Sequence, residues 1–152
     1  MTAAQQPDAF GAQAPQSSGP SGPRAGFWRR FGAVVVDTIL LGIVFVPLSL
    51  VLPAALYYAI ATVVGIAYYV LLEGGAKGQT VGKMACAIRV YDLARGGSIG
   101  YGRALLRYVG RILSSIVVLL GYLWMLWDRE KQTWHDKFAG SVVVPTSKYP
   151  VG

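Results

Sequence analysis

Asp37 is the charged residue of this sequence most in need of a chemical explanation. It is the one charge between Phe31 and Leu52, inside FGAVVVDTILLGIVFVPLSLVL. At that depth in a bilayer a carboxylate costs about 2.5–3.5 kcal/mol on insertion scales. Such groups carry protons or small cations when they open to water, and act as structural staples when locked beside a basic partner. Arg30 lies two helical turns earlier on nearly the same face and is one candidate partner; Arg107 and Arg111, from a later segment, are others. Asp136 stands beside His135 and Lys137 where a short helix would begin, so its carboxylate suits capping of free amides as well as ion pairing. His135 titrates near neutral pH and could sense it, while its place beside Trp134 equally fits interfacial packing. Glu73 and Lys83 are expected either to close an ion network at the cytoplasmic face or to stand solvated.

Other chemistries find little support. Cys86 and His135 are the sole cysteine and histidine, so no Cys/His zinc centre can be assembled and no cofactor is expected. GGAKGQTVGK looks like a phosphate loop, but the pattern needs glycine where Lys77 stands and Ser or Thr where Met84 stands. No nucleophile has a base in view and no paired carboxylates share a helix face, which argues against an enzyme. The net charge of +7 does not mark a nucleic-acid binder, because the basic residues flank apolar segments instead of clustering on a polar domain.

These residues need elements to hold them. With 54% hydrophobic and 14% charged residues the composition is that of a membrane protein. Residues 1–24 are rich in Pro, Gly, Ser and Gln and read as a disordered leader, without the basic start and apolar core of a signal peptide. A first span runs from Arg30 to Leu52 with Pro47 inside it; a second runs from Ala54 to Leu72, opened by Pro53. The short link predicts a tight antiparallel hairpin, with Ala55/Ala59 and Ala61/Gly65 allowing close helix approach. Tyr57, Tyr58, Tyr68 and Tyr69 fit an interfacial belt and are assigned no ligand. A short helix within 80–87, a strand at 88–91, a turn at 92–97 and a second strand at 141–144 complete the polar part, and the strands can pair.

Arg103, Arg107 and Arg111 recur every fourth residue, a basic face suited to anionic lipid head groups. The apolar stretch Ile112 to Trp127 follows, either a third span or a re-entrant segment broken near Gly121. Basic residues before the first span and between Lys77 and Arg111 place both regions in the cytoplasm, with an uncharged turn at Pro53 outside. A full third span would put Arg129, Lys131, Lys137 and Lys148 outside, against that rule; re-entry keeps them in the cytoplasm. The expected fold is an all-α membrane protein: a two-helix transmembrane hairpin, a third membrane segment, and a small cytoplasmic subdomain with room for a short β-pair. Two or three helices are too few to enclose a pathway, so a homo-oligomer or a membrane-protein partner is expected.

Three blocks carry a family likeness: AGFWRRFGAVVVDTILL, YYVLLEGGAKGQTVGKMACAIRVYD and KQTWHDKFAGSVVV. In this order and spacing they resemble the RDD family of bacterial membrane proteins, named for an arginine and an aspartate of the first helix and a later aspartate. By position these are Arg30, Asp37 and Asp136. The resemblance covers residues 25–144, leaving a short tail at 145–152. It implies a multi-pass protein of the bacterial inner membrane, with transport suggested and cation/proton exchange reported in some members. Transport of a small cation or proton through Asp37 is therefore one expectation. A non-transporting accessory module, binding protein partners or anionic lipid with Asp37 in a buried ion pair, is the other.

Overall fold

The computed structural model of the chain describes residues 22–116 and 120–150; most of the expected leader, and with it the expected disorder, lies outside them. Helix α1 (Phe27–Val51) and helix α2 (Ala54–Gly74) carry the two apolar segments. At 25 and 21 residues both are long and apolar enough to cross a membrane. Leu52 breaks the chain between them because the residue before a proline is driven to extended backbone, and it sits at φ −95°, ψ 147°. Pro53 is accordingly the flanking residue of α2 and not its first helical one. Pro47 is accommodated within α1, and the Ser49 hydroxyl donates to the Val46 carbonyl at 2.7 Å.

The hairpin is antiparallel but less intimate than the small-residue spacing predicts. Helix α3 (Val81–Ala85) is the main neighbour of α1, and helix α4 (Gly100–Ile116) is that of α2. Gly65 of α2 accordingly faces Tyr108 of α4. Much of the outer surface of α1 and α2 is exposed aliphatic side chain, from Ile39 and Ile43 to Leu50 and Val51 on α1. A helix apolar all round yet unburied in its own fold is suited to lipid.

Strands β1 (Ile88–Asp92) and β2 (Ser141–Pro145) pair antiparallel, Ile88 opposite Pro145 and Asp92 opposite Ser141. A lone two-stranded ribbon is marginal; this one is buried, and Val142, Val143 and Val144 are almost wholly enclosed. Its core partners are Ala25, Ala33, Ile99 and Ala104, and the Ala25 N–H donates to the Val143 carbonyl at 2.8 Å. Paired strands lie about 5 Å apart, so both occupy one side of any membrane the helices cross.

The described residues of 112–127 do not lie on one straight helix. Helix α4 ends at Ile116, helix α5 (Leu120–Leu123) and a 3₁₀ turn at Trp124–Leu126 follow, then helix α6 (Trp134–Phe138). Gly121 lies against Ser114, so close that a Cβ there would fall 2.7 Å from the Ser114 Cβ. In one continuous helix those residues would be about 10 Å apart along the axis. Gly121 of α5 is therefore packed beside Ser114 of α4.

Candidate functional site

Asp37 is only 2% exposed, and neutral donors hold it. Tyr68 Oη of α2 donates to its Oδ1 at 2.7 Å, Thr80 Oγ1 to its Oδ2 at 2.6 Å, and the Gly82 N–H to Oδ1 at 2.7 Å. Thr80 caps α3 and also accepts from the Lys83 N–H at 3.3 Å. The carboxylate thus sits over the first turn of α3, where free amides favour negative charge. Gly82 makes this possible: a Cβ there would overlap the Ala33 carbonyl oxygen and stand 2.8 Å from Asp37 Cγ.

The expected pairing of Asp37 with Arg30, Arg107 or Arg111 is corrected by this geometry. Arg30 and Asp37 do share a face with buried Ala33. They are separated by about 10 Å of helix rise, and helical side chains tilt toward the N-terminus, so Arg30 leans away from Asp37. It reaches Asp136 instead, and donates to the Lys131 carbonyl at 2.7 Å.

Arg30, Glu73, Lys83, Arg107, Arg111 and Asp136 form one buried cluster. Arg107 is 2% exposed and bridges two carboxylates: its Nε donates to Glu73 Oε2 at 2.9 Å and its Nη1 pairs with Asp136. The same Nη1 donates to Ser141 Oγ at 2.8 Å. Glu73 also receives Lys83 and, at 2.7 Å, Arg111, which lies 4.1 Å from the Tyr69 ring centre. Lys83, Glu73, Arg107, Asp136 and Arg30 thereby connect α3, α2, α4, α6 and α1. Four cations share two carboxylates.

Several expectations find a definite place here. Glu73 and Lys83 belong to a closed network and are not solvated. The basic face of α4 is turned inward, not toward head groups: Arg107 and Arg111 meet Glu73, while Arg103 pairs with Asp92 of β1. Asp136 combines both of its anticipated roles, since the Thr133 N–H also donates to its Oδ2 at 3.1 Å in a capping box. Tyr68, Thr80, Gly82 and Tyr69 belong to the site although sequence reasoning gave them no function. The one local signal was Thr80 standing before VGK, the position of an N-cap.

His135 is buried against Tyr122, ring centres 5.0 Å apart, with Nε2 3.0 Å from Thr133 Oγ1. Burial, reinforced by Arg107 and Arg111, holds its pKa well below the ordinary 6.5, although Asp136 opposes the shift. Burial would raise the Asp136 carboxyl, but Arg107 and Arg30 outweigh it and draw it far below the ordinary 3.8. The signs follow from proton linkage. As pH falls below about 6.5 the unfolded chain protonates His135 and the folded chain does not; below about 4 the same holds for Asp136. Stability is therefore expected to fall in two acid stages, the first by up to about 1.4 kcal/mol per pH unit. In reversible detergent unfolding from pH 8 to 4, His135→Gln should abolish the stage that starts near 6.5; an unchanged curve would contradict the assignment.

A cavity of about 400 Å³ opens beside the cluster, between α1, α4, α5 and α6. Its walls include Phe27, Phe31, Val34, Leu123 and Met125, and Arg30, Asp37, Lys83, Arg107 and Arg111 also reach it. Among the described residues, no group of His, Cys, Asp and Glu has the arrangement of a metal site.

Known proteins share this arrangement of sequence. The chain is 33% identical over 84 residues to a proline-rich antigen homolog of Mycobacterium tuberculosis, an overlap of 53% of this chain and 35% of that protein. It is 32% identical over 71 residues to the proline-rich antigen of Mycobacterium leprae, covering 47% and 28% of the two. The chain thus matches about a third of the length of these mycobacterial relatives. Over 139 residues it is 28% identical to an uncharacterized membrane protein of Bacillus subtilis, YteJ, covering 82% of this chain and 83% of that one. No solved structure matches. The family model for RDD matches residues 24–140, which include Arg30, Asp37, the Glu73 cluster and Asp136. With that match across most of its length, and two apolar helices of membrane-spanning size, the chain belongs to the RDD family of membrane proteins.

Proposed function

We propose that this chain is a non-transporting accessory module of the bacterial inner membrane, in which a two-span anchor is locked to a small cytoplasmic subdomain. The observation that carries the reading is the state of Asp37. A carrier carboxylate must exchange its partners for water or an ion, whereas this one is buried and engaged by three donors from α2 and α3. Glu73 and Asp136 are likewise held among cations. The N-terminus is cytoplasmic in this reading, α4 and α5 re-enter the membrane side from which they start, and partners are membrane helices, or a second copy, packed on the exposed flanks of α1 and α2.

Transport of a proton or small cation remains the competing reading, favoured by the cavity that reaches Asp37. Ion flux in proteoliposomes separates the two. The wild type is expected to show no flux above empty vesicles, and Asp37→Asn to lower stability by about 1.5–3 kcal/mol, the range for hydrogen bonds to a charged group. Wild-type flux that disappears in a folded Asp37→Asn protein would overturn the accessory reading. The topology has its own check: Ser147→Cys, in a Cys86→Ser background, should react with an impermeant maleimide only after cells are opened. Labelling of intact cells would place the C-terminal segment outside.

A further inference from the structure

We infer that the cavity between α1, α4, α5 and α6 is a binding site for an anionic amphiphile, an oxyanion head group carrying an acyl chain. Charge is the first reason. Arg30, Lys83, Arg107 and Arg111 all line the cavity, whereas Glu73 and Asp136, the two carboxylates they share, are not part of its wall. Asp37 does line it, but its oxygens already accept from Tyr68, Thr80 and Gly82. The cluster therefore presents an excess of positive charge to a partly open, apolar-walled cavity, where an oxyanion gains more than it would in water.

His135 supplies a second, independent sign. It lines the same cavity at 4% exposure, and its buried Nδ1 has no hydrogen-bond partner among the described residues. A buried polar nitrogen without a partner is costly to leave unpaired. In the tautomer in which the Thr133 hydroxyl donates to Nε2, Nδ1 carries the proton and is a donor awaiting an acceptor.

The walls decide what kind of anion. Phe27, Phe31, Val34, Leu123 and Met125 offer an apolar lining that a free inorganic anion would not use. Phe31 and Val34 are at once cavity wall and half-exposed outer surface of a membrane-length helix, at 51% and 46%. With α1 as a membrane span, a ligand entering between Phe31 and Val34 would come from the lipid side. About 400 Å³ lies within the usual range of small-molecule sites.

The test uses the full chain in phosphatidylcholine nanodiscs, with radiolabelled oleate, dioleoylphosphatidylglycerol and methyl oleate as ligands and inorganic phosphate as competitor. Oleate or the anionic phospholipid is expected to bind at least tenfold more tightly than methyl oleate, and whichever binds identifies the head group. Val34→Trp, which fills the mouth from the lipid side, should weaken that binding at least tenfold with an unchanged unfolding midpoint. Ser115→Trp, exposed on α4 and also on the cavity wall, is the second plug should the first disturb the fold. Equal binding of oleate and methyl oleate, or full binding in folded plugged variants, would overturn the site. So would displacement by millimolar phosphate, which would make the ligand a soluble anion.

Discussion

Glu73→Gln is expected to cost the folded chain about 3–5 kcal/mol, the loss seen when one partner leaves a buried ion cluster and the others stay charged. Glu73 is the carboxylate that receives Lys83 and Arg111 and one of the two that receive Arg107. An amide keeps one acceptor: with its oxygen toward Lys83 and Arg111, its NH2 faces the Arg107 Nε, and all three cations lose the shared negative charge. Two features make this loss specific. Lys83→Met added to Glu73→Gln should restore part of the stability, because it removes one of the stranded cations, so the two changes should not be additive.

The cost should also shrink as pH rises. Burial lowers the Lys83 ammonium from its ordinary 10.5 to about 8, Glu73 working against that fall. The folded chain thus releases the Lys83 proton before the unfolded chain does, and stability rises with pH between those values. Without Glu73 the release comes earlier, so the window widens downward. Reversible unfolding in mixed micelles at pH 7 and pH 9 measures both effects. A cost below about 1 kcal/mol at pH 7 would mean the cluster is solvated, against its burial.

Gly82→Val carries the second large effect, about 3–5 kcal/mol. Overpacking accounts for about 1–3 kcal/mol of this, because the new side chain would have to displace the Ala33 carbonyl of α1 or Asp37 itself. The rest comes from the lost Gly82 N–H bond to Asp37, since bonds to charged groups contribute about 1.5–3 kcal/mol. Gly102→Ala is the matched control: a Cβ there meets nothing within 4 Å, and it should stabilise α4 by about 0.5–1 kcal/mol. If Gly82→Val proved as mild as Gly102→Ala, the docking of α3 on α1 would be wrong.

Local features of this protein could be read from its residues in order. Chain length and hydropathy marked α1 and α2, Pro53 marked the break between them, and Thr80 stood where a short helix begins. The alternating Ile88 to Tyr91 and the valine run at 142–144 marked the strands, and their pairing, open in the sequence, is antiparallel in the fold. All of these depend on backbone preferences and periodicities that act within a few residues.

The partners of the charged groups were not legible in the same way. Arg30 meets Asp136 across more than a hundred residues, and Asp37 is satisfied by a tyrosine read as part of an interfacial belt. The basic stripe of α4 has a period that suits phosphate head groups and buried carboxylates equally. Only the arrival of Glu73 from α2 and Asp136 from α6 turns it inward. The packing of α5 on α4 is similar, since an apolar stretch of that length is compatible with a span or with a turn, and the Ser114–Gly121 contact is visible only in three dimensions. By itself, then, the sequence determined that Asp37 needed partners, because a carboxylate among apolar residues is costly wherever it lies. The tertiary structure decided which partners, because electrostatic pairing depends on distances in space that sequence separation does not set.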